Sequence, residues 1–148
     1  MSVGTTPEAR SIPVHEQSTP LANPVYQGYL LLRLGFAVAP LLLGLDKFFN
    51  ILVDWKSYLA PVVNDLIPGN AHQAMLAVGV VEIVAGLAVA LRPRFGGYLV
   101  AAWLAAIILN LLLLADHYDV ALRDFGLLLG ALTLARLATG FEPARQAA

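Results

Sequence analysis

A single acid, Glu82, interrupts the apolar run AHQAMLAVGVVEIVAGLAVAL from Ala71 to Leu91. A helix of that length, rising about 1.5 Å per residue, just crosses a roughly 30 Å hydrocarbon layer. Glu82 then lies about 16 Å from the entry, where an isolated carboxylate costs at least about 2.5–3.5 kcal/mol on insertion scales. Such a group needs a charged partner, a proton or a chemical task. Arg33, about two turns into the preceding apolar stretch, lies roughly 8–9 Å from the opposite surface by the same arithmetic. Only several ångströms of depth then separate the two. The expectation is an Arg33–Glu82 pair that fixes the register of two helices; the functional alternative is a carboxylate that carries a proton or touches a quinone.

A second group of polar residues falls near one end of the apolar stretches: Asp46, Lys47, His72, Asn110, Asp116, His117, Asp119, Arg123 and Asp124. Asp124 sits about one turn inside the last stretch and should face protein, with Lys47 as its expected partner. A salt-bridge and hydrogen-bond network closing that end of a bundle is the plainer reading. His72 and His117, with Asp116 or Asp119, are the residues that a metal or haem would use. No HxxxH or ExxH spacing presents them from a helix, so no metal centre is expected. The chain has no cysteine, which removes disulfides, thiolate catalysis, Fe–S clusters and thiolate zinc sites. Serine and threonine lie mainly in the first residues, with no nucleophile elbow and no phosphate-cradling loop. No catalytic residue is assigned. The candidate intramembrane site is Glu82 with Arg33, and the outer polar cluster is Asp46, Lys47, Asn110, His117 and Asp124.

The elements that position these residues follow from apolar runs and their punctuation. Residues 1–26 are polar, carry Pro7, Pro13, Pro20 and Pro24, and read as a flexible tail without the basic start and apolar core of a secretory signal. A first span starts near Gln27 and should kink at Pro40. The segment FFNILVDWKSYLAPVVNDLIPGN mixes aromatics with charges and suits the lipid–water boundary. The second span is Ala71–Leu91. Arg92-Pro93-Arg94, closed by Gly96-Gly97, forms a basic turn before a third span from about Phe95 to Ala115. A fourth span occupies roughly Val120 to Thr139, and residues 141–148 form a short tail.

The composition agrees: 59% of the 148 residues are apolar and 13% charged, and the mean hydropathy is +0.73, the range of membrane proteins. A net charge of −1 gives no basic face for nucleic acid. The expected fold is therefore all-α, an integral membrane four-helix bundle running up-down-up-down, with a domain at residues 27–140. If the Arg92/Arg94 turn is cytoplasmic, Arg10, Arg33, Arg136 and Arg145 join it, and six of the nine basic residues lie inside. Both termini are then cytoplasmic. Gly126-xxx-Gly130, Ala131-xxx-Ala135 and Gly86-xxx-Ala90 allow close helix approach within one bundle or between two.

These residues resemble the DoxX family of small four-helix bacterial membrane proteins. The likeness rests on the arginine in LLLRLGFAVAPLLLGLDKF, its closing Gly44-Leu45-Asp46-Lys47, Glu82-xxx-Gly86 before the turn at Arg92, and Arg123-Asp124 opening the last span; it covers about residues 28–137. The resemblance implies a membrane partner of redox machinery in the bacterial cytoplasmic membrane. Members are associated with thiosulfate:quinone oxidoreductase and with thiol oxidative-stress systems; with no cysteine, direct thiol chemistry does not transfer to this chain. Two functions follow as expectations. One is a non-catalytic subunit, without cofactor, that anchors or stabilises a larger respiratory or redox complex, with the bilayer and a protein as partners. The other is a quinone-linked oxidoreductase component using Glu82, Arg33 and the outer cluster. A transporter or channel is a weaker third.

Overall fold

The computed structural model describes residues 20–66 and 68–141. Every regular element among them is helical: α1 (Pro24–Phe49), α2 (Pro61–Leu66), α3 (Ala71–Leu91), α4 (Pro93–Leu114) and α5 (Tyr118–Phe141), with 3₁₀ turns at Pro20–Ala22 and Trp55–Tyr58. Three helices are long and apolar enough to cross a membrane, α1, α3 and α4. α5 has comparable length, 24 residues, but carries Asp119, Arg123, Asp124 and Arg136. Of the polar tails expected at 1–26 and 141–148, only residues 20–26 and Phe141 are described; Arg10 and Arg145, which entered the orientation count, lie outside the described residues.

Each boundary has a local cause. α1 starts three residues ahead of Gln27 because Asn23 accepts a hydrogen bond from the Val25 amide at 2.9 Å and Pro24 occupies the first helical position, where its missing N–H costs nothing. It continues through Pro40 and stops at Asn50, whose left-handed backbone (φ 52°) turns its N–H onto the Asp46 carbonyl. α3 opens with a reciprocal cap: the Gln73 amide donates to Asn70 Oδ1 at 3.0 Å, and Gln73 Oε1 accepts from the Asn70 amide at 3.2 Å. The preceding Gly69 has φ 120°, a conformation that side chains rarely adopt.

The connection between α3 and α4 is tighter than the Arg92–Gly97 turn read from the sequence. Arg92 alone separates the helices, and Pro93 already begins α4. Gly96 and Gly97 lie inside that helix as points of approach. A Cβ at Gly96 would collide with the backbone of Ala88 and Val89, and one at Gly97 would lie 2.9 Å from the Ala131 carbonyl oxygen.

α1 packs on α3, α3 on α4, α4 on α5, and α5 back on α1. Tyr29, Ala85, Val89, Val100, Ala101, Leu104, Ala131, Leu134 and Ala138 fill the shared core. The alanines let backbones approach, as expected where packing drives association of apolar helices. Outward positions are large and apolar: Leu31, Leu34, Leu42 and Leu122 are each at least 60% exposed. α1 and α3 run antiparallel, since Arg33 meets Ala90, Ala37 meets Gly86 and Gly44 meets Gly79. At that register the first turns of α3 project beyond the end of α1. The connecting segment covers them: Leu59 is buried with Ala74 and Met75, flanked by Trp55, Val63, Ala71 and Val78.

Candidate functional site

The buried charges converge where α1 ends against the middle of α3. Lys47, in the last turn of α1, donates from Nζ to Glu82 Oε2 at 2.7 Å, and the two side chains are 4% and 8% exposed. Lys47 reaches Glu82 because the helices nearly touch just beside it. A Cβ at Gly44 would lie 2.6 Å from the Gly79 carbonyl oxygen, and one at Gly79 would lie 3.1 Å from Lys47 Cβ. The other side of the ammonium faces the Trp55 ring, 3.6 Å from its centroid, a cation–π contact strengthened by exclusion of water. The lysine is thus enclosed between a carboxylate and an aromatic face.

The remaining long helices add one residue each. Trp103 of α4 lies against Glu82; its Nε1 is buried and has no hydrogen-bond partner within bonding geometry. Asp124, from the second turn of α5, is only 7% exposed. Arg123 Nε stands 3.7 Å from Asp124 Oδ1, but the Arg123 side chain is itself 69% exposed. Three helices therefore contribute a lysine, a carboxylate and an indole N–H to one enclosed region, and α5 adds a second buried carboxylate, Asp124.

The Arg33–Glu82 pair expected from depth is not formed. Arg33 Nη2 donates to the Ala90 carbonyl oxygen at 2.5 Å, eight residues and about 12 Å along α3 from Glu82. The last carbonyls of a helix lack intrahelical donors and carry the negative end of its dipole, so a guanidinium at that level is captured there. The Lys47–Asp124 pair is likewise replaced: Lys47 is committed to Glu82, and Asp124 to Arg123.

The expected outer cluster divides into separate contacts. Asp46 accepts from the Trp55 indole N–H at 2.7 Å and from the amides of Ile51 and Leu52 at 3.0 and 3.2 Å, which folds the chain back after α1. Asn110 holds the same segment from α4: its Nδ2 donates to the Tyr58 carbonyl at 2.6 Å and its Oδ1 accepts from the Ala60 amide at 3.0 Å. The His117 ring packs on Tyr58, centroids 4.4 Å apart, with Nδ1 3.5 Å from Asp116 Oδ2. His72 is exposed. Among the described residues no three His, Asp or Glu side chains gather as metal ligands.

Asp46, Asn110 and His117 thus hold the connecting segment, whereas Lys47 and Glu82 form the buried charge pair beneath it. Two aromatic residues lacked a site role in the sequence reading. Trp55 falls in the segment that suits the lipid–water boundary, and Trp103 falls inside the third apolar span. The signal for Trp103 was its depth, since a tryptophan far from the interfaces must settle its N–H inside the protein.

Comparison with known proteins finds no match among family models, curated proteins or solved structures.

Proposed function

We propose that the chain is a multi-pass protein of the bacterial cytoplasmic membrane, similar to DoxX proteins, that serves as a membrane subunit anchoring a larger redox complex. On this reading α5 is a fourth span beside α1, α3 and α4. The helices run up-down-up-down, with both termini and the Arg92/Arg94 turn on the cytoplasmic side. The observation that carries the subunit reading is the enclosure of Lys47, bonded to Glu82 at 2.7 Å and covered by Trp55 at 3.6 Å. A buried pair of this kind stands as a register pin between α1 and α3, and breaking it by removing one partner is costly. The test is affinity purification from native membranes in mild detergent. Stoichiometric recovery of an oxidoreductase is the expected result; a lone monomer contradicts the reading.

A second reading rests on a different observation. Asp124 is a second buried carboxylate, and the Trp103 N–H against Glu82 has no hydrogen-bond partner, so the bundle buries one more acid than a pin requires. Here the chain is a quinone-linked component in which Glu82 and Asp124 exchange protons, with Lys47 in the place that Arg33 held in the sequence reading. Glu82→Gln and Asp124→Asn then lower quinone reduction by the membrane assembly while protein levels hold. Unchanged turnover in both variants excludes this role.

A further inference from the structure

We infer that the Arg33 end of the α1–α3 seam binds one anionic phospholipid, its phosphate on the arginine and an acyl chain in the apolar groove beside it. The groove is lined by Leu30, Arg33, Leu34 and Ala37 of α1 and by Ala90 of α3. It is shallow because alanines floor it: a Cβ at Gly86 would lie 2.7 Å from the Ala37 carbonyl oxygen, so the helices meet closely there. Leu34, on its rim, is 63% exposed, so the trough opens to the outside. Arg33 spends one donor on the Ala90 carbonyl, and a guanidinium has five, arranged as a fork that fits phosphate.

Charge and depth select the ligand. Among the described residues this end carries Arg33, Arg92, Arg94 and Arg136 and no carboxylate; every described aspartate belongs to the opposite end. Tyr26, Tyr29 and Phe141 form an aromatic cluster at the same level, with centroids 5.1–6.0 Å apart, as befits a headgroup boundary. Basic recesses between spans on the cytoplasmic side suit anionic headgroups. Arg33 is then the residue that reads the phosphate, and the groove reads the chain. The inference requires α1 and α3 to lie in a bilayer, but not the redox role proposed above, because lipid retention is measured without turnover.

The experiment is native mass spectrometry of the purified full chain with equimolar phosphatidylglycerol and phosphatidylcholine. Wild type should retain one phosphatidylglycerol with about fivefold preference. Arg33→Gln should abolish the preference, and Arg33→Lys should keep part of it. Ala90→Leu fills the groove while keeping both the guanidinium and the Ala90 carbonyl that it bonds, and should also expel the lipid, which keeps the test sound if Arg33→Gln fails to fold. Glycerophosphate, a headgroup without chains, should not be retained. Equal retention of both lipids, unaltered binding in Ala90→Leu, or capture of glycerophosphate alone overturns the inference.

Discussion

Lys47 Nζ lies 2.7 Å from Glu82 Oε2, although one residue belongs to the last turn of its helix and the other to the middle of its own. The offset exists because α1 stops short and α3 projects past it, with Trp55 and Leu59 covering the exposed turns. One geometric fact thus accounts for two features: a charge pair inside an apolar bundle, and a polar connecting segment folded over it.

Topology can be read without background labelling, since the chain has no cysteine. Ser57→Cys and Asp119→Cys, both at exposed positions, should react with an impermeant thiol reagent from outside intact cells. Arg94→Cys should react only after permeabilisation. Labelling of all three in intact cells contradicts the proposed orientation.

The helices were legible in the sequence because apolar runs and their Pro, Gly and Asn punctuation are local signals. Helix ends moved by only a few residues, and for local reasons such as the Asn23 cap. The pairing of charges was not legible, because depth counted along each helix assumes that neighbouring ends are flush. Lys47 looked terminal, yet its neighbour α3 continues beyond it. Arg33 looked deep enough for Glu82, but the unpaired carbonyls ending α3 were nearer. Gly96 and Gly97 read as a turn, whereas their role is close contact with α3 and α5, which a one-dimensional pattern does not contain.

The α1–α3 seam depends on having no side chain at Gly44. A Cβ there would lie 2.6 Å from the Gly79 carbonyl oxygen, so Gly44→Ala should separate the helices and lower stability by about 1–3 kcal/mol. Gly35→Ala adds a methyl group into open space on the same helix and should stay within about 0.5 kcal/mol of wild type. Thermal unfolding of both variants in one detergent checks the contrast; equal effects would contradict the packing described.

Asn110 is the clasp of the connecting segment. Asn110→Ala removes both its bonds, to the Tyr58 carbonyl and the Ala60 amide, at about 1–3 kcal/mol for the groups left unsatisfied. Hydrogen exchange should accelerate across Trp55–Leu66 while the centres of α3 and α4 keep their protection. An unchanged exchange pattern would mean that the segment is held by other contacts.

The most direct test of the interior is a double-mutant cycle on Lys47 and Glu82, read as unfolding free energy in detergent. Lys47→Met and Glu82→Met should each cost about 3–5 kcal/mol, because each strands the other charge. The combined variant should regain most of that loss, a coupling of at least about 2 kcal/mol. Additive losses, or a Glu82→Met variant as stable as wild type, would contradict a lysine–glutamate pair at the centre of this fold.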